Sequence, residues 1–191
     1  ASLKIFNFQF SIFKQFLNET IFKYKENNYT LPTLGKHQVK NAMLCIEVAK
    51  HLDISDKQIK AGLAKVQLPI RMEVISRKPL IILDGAHNPA KIKSTVNTIK
   101  ELADLNTCKH VNLIIGFSEN KDTASMIRQL AKLEPTTIAC TRYTNNPFRQ
   151  VADPADIAKK FKKLLPKAKI EIFLDPNDAL EWSKTKKGLI L

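Results

Sequence analysis

The sequence predicts an α/β protein in which a mostly parallel sheet is flanked by helices. From residue 68 onward, short apolar runs alternate with segments of helical periodicity, which is typical of right-handed β-α-β units. The run 111–115 is largely apolar, as strands buried on both faces are. Asp-Pro pairs at 153–154 and 175–176 combine a helix cap with a proline at the first helical position.

The first part of the chain, residues 1–66, is predicted to contain two strands and two helices. Polar and apolar residues alternate over 6–12, and a second short strand is predicted at 20–24. An apolar stripe predicts a helix over 36–51. Ser55 and Gln58 form a capping-box pattern that opens a helix ending near residue 65. Four elements are too few for a complete domain.

The second part, residues 67–191, is predicted to contain the parallel sheet. Its strands are predicted at 72–75, 80–83, 111–115, 136–140, 170–174 and 188–191. Its helices are predicted at 89–105, 123–133, 153–165 and 175–184. Asn88 is the predicted cap of the first of these helices, and Pro89 its first residue.

The composition limits the classes of function. The 31 Lys and Arg against 18 Asp and Glu give a net charge of +13, which favours polyanionic partners. Lysine is spread over nearly every segment, so we expect no dedicated nucleic-acid site. The sequence has no apolar run of membrane-spanning length, so we expect no membrane partner. Cys45, Cys108 and Cys140 lie far apart, which favours reduced thiols and a cytoplasmic location.

The segment 83–89, with the sequence L-D-G-A-H-N-P, is the strongest candidate for a functional site. It lies where a predicted buried strand ends and a helix begins, and ligands of open α/β sheets bind at such strand ends. Asp84 can accept hydrogen bonds from a ribose or an ammonium group, and His87 can contact a phosphate. The same residues also fit a structural role in which Asp84 caps a turn, Asn88 caps the helix and His87 is a surface residue.

Two further segments carry polar side chains that suit a ligand. Arg71 and Glu73 are two apart on a predicted strand, so they share a face and can form a salt bridge. His37 and Asn41 lie near the start of the predicted helix 36–51, where polar residues are also ordinary.

The order and spacing of these motifs resemble the folylpolyglutamate synthase/dihydrofolate synthase family, a branch of the Mur ligase superfamily. The resemblance rests on G-x-H-Q-x-x-N-A at 35–42, R-x-E at 71–73 and L-D-G-A-H-N-P at 83–89, and it spans residue 31 to the end. It continues through Gly116 and through 120–122, where Asn120 replaces the first Asp of the family's D-K-D. Arg149 also matches the family in kind.

The resemblance implies a function and an architecture. Residues 67–191 would form the Rossmann-like carboxyl-terminal domain of a Mur ligase, and residues 1–66 the end of the central ATP-binding domain. The family uses ATP and Mg²⁺ to join L-glutamate to folate or dihydropteroate through an acyl phosphate. By position, Asn41, Arg71 and Asp84 resemble its ATP contacts, and His87 resembles its active-site histidine.

The resemblance also implies what lies outside these residues. The family's phosphate loop and Mg²⁺ ligands belong to an amino-terminal region that this sequence does not contain, so the chain alone is expected to be inactive. A monomer is expected.

Two alternatives remain open at this stage. One is another Mur-type amino-acid ligase, although the peptidoglycan-building branch usually carries Tyr where this chain has Gly85. The other is a basic nucleotide- or nucleic-acid-binding α/β module, which the net charge of +13 motivates.

Overall fold

A computed structural model describes residues 10–17, 19–104, 110–143 and 150–191. The chain divides into two compact units, Ala1–Glu73 and Val74–Leu191. The predictions made for residues 6–9, Cys108 and Arg149 lie outside the described residues. Cys45 and Cys140 are free thiols, the first exposed and the second buried.

Unit 1 contains an antiparallel sheet of three strands and two helices. The strands are β1 (Phe10–Phe16), β2 (Glu19–Tyr24) and β3 (Asn27–Leu31), in that order across the sheet. The helices are α1 (Lys36–His51) and α2 (Asp56–Lys65). The prediction of only two strands was therefore wrong, because β3 completes a hairpin with β2 through the two-residue turn 25–26.

The core of unit 1 lies between α1 and the sheet. Val39, Met43 and Ile46 of α1 are fully buried in one cluster with Phe22 and Tyr29 of the sheet. This is the stripe that the sequence pattern predicted. The capping box at the start of α2 is confirmed, since the Ser55 hydroxyl accepts from the Gln58 N–H and the Gln58 side chain returns to the Ser55 N–H.

Unit 2 is a mostly parallel six-stranded sheet flanked by helices, as predicted. The strands are β4 (Glu73–Arg77), β5 (Leu80–Leu83), β6 (Val111–Ile115), β7 (Thr137–Cys140), β8 (Lys169–Ile172) and β9 (Leu189–Ile190). The helices are α3 (Pro89–Asp104), α4 (Thr123–Leu130), α5 (Pro154–Leu164) and α6 (Pro176–Lys184). The order across the sheet is β4-β5-β9-β6-β7-β8, with β9 parallel to both β5 and β6.

Some predicted boundaries were wrong for local reasons. The strand predicted at 72–75 runs over 73–77, because Met72 adopts a left-handed backbone with φ of 50°. The bounds of the helix predicted at 123–133 are confirmed, with an α-helix to Leu130 followed by a 3₁₀ turn to Leu133. The strand predicted at 170–174 runs over 169–172.

Helix caps place the loops at the carboxyl ends of the strands. Asp122, Asp153 and Asp175 each accept a hydrogen bond from a backbone N–H in the first turn of α4, α5 and α6. The caps of α4 and α6 lie seven and three residues after the ends of β6 and β8, so these two loops lie at the carboxyl edge of the sheet. Among the described residues, no helix is long and apolar enough to cross a membrane.

Candidate functional site

Asp84 follows the last residue of β5, and hydrogen bonds from Ala86 and Thr95 hold its carboxylate. Its Oδ1 accepts from the Ala86 N–H at 2.8 Å and from the Thr95 hydroxyl at 3.0 Å. The first bond forms a tight turn of the kind that aspartate favours, and the second ties this turn to α3. The side chain is half-buried. The turn role that the sequence left open for Asp84 is therefore present in the structure.

His87 and Asn88 form the rest of the β5–α3 turn. The exposed His87 ring has Nδ1 2.9 Å from the Gly85 carbonyl and Nε2 3.3 Å from the Lys91 ammonium. Asn88 caps α3, as predicted, because its Oδ1 accepts from the Lys91 N–H at 2.9 Å. The turn thus combines an exposed imidazole, a lysine and the positive end of a 16-residue helix, an electrostatic setting that favours anions.

Thr95 is a site residue that sequence reasoning missed. It is 3% exposed and lies on the buried side of α3, where its hydroxyl contacts both Asp84 and the Lys91 carbonyl. Buried hydroxyl groups need a partner. The available signal was a threonine at a core-facing position in the second turn of the helix that follows a strand-end aspartate.

The neighbouring β6–α4 loop contains the 116–122 segment. A Cβ added at Gly116 would lie 3.1 Å from the Thr141 carbonyl oxygen. Glycine at this position therefore lets the backbone of the β6–α4 loop lie close to the backbone that follows β7. The Ser118 hydroxyl is 2.7 Å from the Tyr143 hydroxyl. The pKa of Asp122 lies below its ordinary value, because the Ser125 hydroxyl and N–H both donate to this carboxylate. In the described structure, Asp122 therefore serves as the cap of α4.

Arg71 and Glu73 do not form the predicted pair on one strand. Glu73 is the first residue of β4, whereas Arg71 lies in the preceding bend, between residues with left-handed backbones. The Arg71 guanidinium donates to the Ile70 carbonyl at 2.9 Å, and the Glu73 carboxylate accepts from the Ile70 N–H at 2.8 Å. The Thr33 hydroxyl donates to the Arg71 carbonyl at 3.0 Å.

Asn41 lies on the exposed face of α1, and its amide donates to Gln38 Oε1 at 3.1 Å. Asn41 and Arg71 belong to unit 1, whereas Asp84 and His87 share one turn of unit 2. In the described part of the chain, no group of three His, Cys, Asp or Glu side chains is placed to hold a metal ion.

Comparison with known proteins extends this picture. The profile of the family described as "Mur ligase, glutamate ligase domain" matches residues 70–189. Folylpolyglutamate synthase of Lacticaseibacillus casei is 33% identical over 106 residues, covering 52% of this chain and 24% of the relative. Dihydrofolate synthase/folylpolyglutamate synthase of Bacillus subtilis is 26% identical over 161 residues, covering 81% and 35% respectively. The chain thus spans about a third or less of these curated relatives.

A solved structure shares the fold. The crystal structure of folylpolyglutamate synthase from Thermotoga maritima matches with a TM-score of 0.74 and 27% sequence identity. The match covers 96% of this chain and 42% of that one. The predicted α/β class, with its mostly parallel sheet flanked by helices, is confirmed.

Proposed function

Because the chain belongs to the Mur ligase family through its glutamate ligase domain, we propose that it forms the carboxyl-terminal part of an ATP-dependent ligase. In this proposal the ligase adds L-glutamate to folate or dihydropteroate. Residues 1–66 are the end of a central ATP-binding domain, and residues 67–191 are the Mur-ligase-type domain that follows. The two curated relatives named above, which act in folate metabolism, support the choice of substrate class.

The observation that carries the proposal is the turn 84–88 between β5 and α3. It presents a carboxylate, an imidazole and a helix amino terminus at the carboxyl end of β5, a strand with a neighbour on each side. Nucleotides and other anions bind to α/β sheets at such strand ends. The turn also has the D-G-A-H-N-P sequence on which the family resemblance rests.

The proposed reaction has two steps. A carboxylate oxygen of the folyl or pteroyl substrate attacks the γ-phosphorus of ATP, ADP leaves, and an acyl phosphate forms. The neutral amine of L-glutamate then attacks the acyl carbon, inorganic phosphate leaves, and an amide is produced. Phosphoryl transfer of this kind depends mainly on positioning and on neutralising charge.

Each proposed site residue has a role that suits its chemistry. Arg71 is a permanent cation with forked donors for phosphate or ribose oxygens. Asp84 accepts from a ribose hydroxyl, and Asn41 offers a donor and an acceptor to an adenine edge. His87 lies beside the phosphates, where the N-terminus of α3 adds favourable charge. Mg²⁺, when bound with ATP, neutralises charge on the phosphates, and its ligands come from outside this chain.

The chain cannot perform the first step by itself in this proposal. None of its five glycines belongs to a G-x-x-x-x-G-K-[ST] phosphate loop. We therefore expect the purified chain to release no ADP when ATP, Mg²⁺, folate and glutamate are supplied. Glutamate-dependent ADP release by the chain alone would contradict this assignment.

A chimera tests the proposal directly. The matching 42% of the Thermotoga maritima synthase is replaced by this chain, and ADP release is measured with folate and glutamate present. We expect folate-dependent and glutamate-dependent turnover in the chimera, and a large loss in the matched His87→Ala chimera. A folded chimera that is equally active with and without the His87 imidazole would contradict the assignment of His87.

A further inference from the structure

The turn between β5 and α3 places a lysine ammonium against a histidine ring. The His87 Nε2 lies 3.3 Å from the Lys91 Nζ, and the His87 Nδ1 lies 2.9 Å from the Gly85 carbonyl oxygen. The Lys91 N–H donates to Asn88 Oδ1 at 2.9 Å, which fixes the backbone of Lys91 in the first turn of α3. The ring is therefore held between two groups that the turn itself positions.

These two contacts select one protonation form of His87. A carbonyl oxygen only accepts hydrogen bonds, so the Nδ1 that faces Gly85 carries the proton. An ammonium only donates, so the Nε2 that faces Lys91 offers its lone pair. The other neutral tautomer would turn a lone pair toward the carbonyl and an N–H toward the ammonium, and an imidazolium would also turn an N–H toward the ammonium. Since its hydrogen bonds decide which nitrogen of a histidine is protonated, the ring is neutral and the positive charge lies on Lys91.

The Lys91 ammonium keeps donors for an anion. An ammonium has three N–H donors and the His87 ring accepts one of them, so two remain. Among the described residues, no carboxylate forms an ion pair with Lys91, and the side chains of Lys91 and His87 are both exposed. The turn thus offers a cation that no other side chain in the described part of the chain neutralises.

Building on the ligase function proposed above, we propose that Lys91 binds the phosphoryl group transferred in the first step and that His87 positions the Lys91 ammonium for this contact. His87 stays neutral, accepts one N–H of Lys91 and acts on the phosphoryl group only through it. No proton leaves either side chain. Lys91 neutralises negative charge on the phosphoryl oxygens, and phosphoryl transfer depends on such neutralisation and on positioning.

Nuclear magnetic resonance of the chain itself tests the arrangement of the ring and the ammonium, independently of the ligase reaction. The nitrogen chemical shifts of a histidine ring distinguish its two neutral tautomers, and His87→Ala assigns the His87 signals among the four histidines. The spectra are recorded at about pH 8, where an unperturbed imidazole is neutral. Lys91→Met removes the ammonium, and Lys93→Met is the matched control, because Lys93 is an exposed lysine of the same helix.

We expect the His87 proton to reside on Nδ1 in the unsubstituted chain. Lys91→Met should shift the Nε2 resonance, because this nitrogen loses its donor, and Lys93→Met should leave the resonance in place. A proton that resides mainly on Nε2 would overturn the proposal. An Nε2 resonance that is the same with and without the Lys91 ammonium would also overturn it.

Kinetics of the chimera described above test whether His87 acts through Lys91. The value of kcat/KM for ATP is measured for His87→Ala, for Lys91→Met and for the double variant. We expect each single variant to lower kcat/KM by about tenfold or more, since a hydrogen bond to a charged group is lost. The double variant should lie within about threefold of Lys91→Met, because residues that act as a unit are not additive. Lys91→Arg retains the charge and should recover part of the loss, and Lys93→Met should stay within about twofold of the parent.

Losses that multiply in the double variant would show that the two side chains act independently and would overturn the proposal. Full activity of the Lys91→Met chimera would overturn it as well. An inactive parent chimera would instead contradict the ligase function, and the nitrogen shifts of His87 in the chain alone would still support or overturn the pairing of His87 with Lys91.

Discussion

The Thr95 hydroxyl donates to the Asp84 carboxylate at 3.0 Å, and this bond joins the turn after β5 to the second turn of α3. The same carboxylate oxygen accepts from the Ala86 N–H, so one oxygen atom fixes both the turn and its position against the helix. The direction in which Asp84 presents its carboxylate therefore depends on α3. These bonds give Asp84 a structural role in the turn, and this role has to be distinguished from its proposed role as a nucleotide contact.

In the active chimera, Asp84→Asn should lower kcat/KM for ATP by about ten- to a hundredfold, since a hydrogen bond to a charged group contributes roughly 1.5–3 kcal/mol. Asparagine keeps the shape and an acceptor oxygen, so the melting temperature should change little. Thr95→Val is the matched control, because it removes the hydroxyl that donates to Asp84 and leaves the negative charge of Asp84 in place. If Asp84→Asn instead lowers the melting temperature by several degrees and leaves kcat/KM within twofold, Asp84 is a structural residue only.

Arg71→Ala in the same chimera should mainly raise the KM for ATP. Removal of a residue that binds the ground state and the transition state equally well raises KM and leaves kcat unchanged. Arg71→Lys is the control. It retains the positive charge but not the forked donors, so an intermediate KM is expected. The Thr33 hydroxyl bonds the carbonyl of Arg71 and not its side chain, so both variants should keep that contact. An unchanged KM in both would exclude Arg71 as an ATP contact.

Gly188→Ala should strongly destabilise unit 2. The new Cβ would lie 2.3 Å from the His110 carbonyl oxygen, and residues with a side chain rarely adopt the backbone φ of 113° found here. Gly62→Ala is the matched control, since Gly62 lies in α2 and its Cβ would meet nothing within 4 Å. We expect the control to stabilise by about 0.5–1 kcal/mol. Chemical denaturation measures both, and equal effects would contradict the close approach at His110.

Local signals were sufficient to predict several elements. The bounds of α1 at 36–51 follow from its apolar stripe, and the start of α5 follows from Asp153 and Pro154. Both signals act within a few residues, so no knowledge of packing was needed. The cap at Asn88 also follows from a local signal, and it marks the start of α3 at the candidate site.

Other features depend on contacts between distant residues. β3 was missed because Asn27 and Asn28 are poor strand formers, yet the strand is held by Tyr29, whose ring stacks 5.6 Å from that of Phe22. The place of β9 between β5 and β6 is likewise set by pairing, through the buried Asn112, and chain order does not specify it. Thr95 joined the site only through packing of α3 against the turn.

Glu47 makes the stability of unit 1 depend on pH. Its carboxylate lies 2.7 Å from the Lys25 ammonium. Partial burial acts to raise the pKa of Glu47, but hydrogen bonds from Lys25 and Tyr24 and the charges of Lys25 and Lys50 outweigh it, so the pKa lies below its ordinary value of 4.5. A carboxylate with a lowered pKa contributes stability above its unfolded-state pKa and loses it as the pH falls through the folded-state value.

Glu47→Gln should therefore lower the free energy of unfolding at pH 7, by no more than about 1 kcal/mol because solvent still reaches both partners of the pair. The difference from the unsubstituted chain should stay constant between pH 7 and pH 6, shrink once the pH falls below about 4.5, and vanish at lower pH. Urea denaturation at a series of pH values measures it. A difference that stays unchanged as the pH is lowered through the acid range would show that Glu47 stabilises unit 1 by packing and not through the charge that pairs with Lys25.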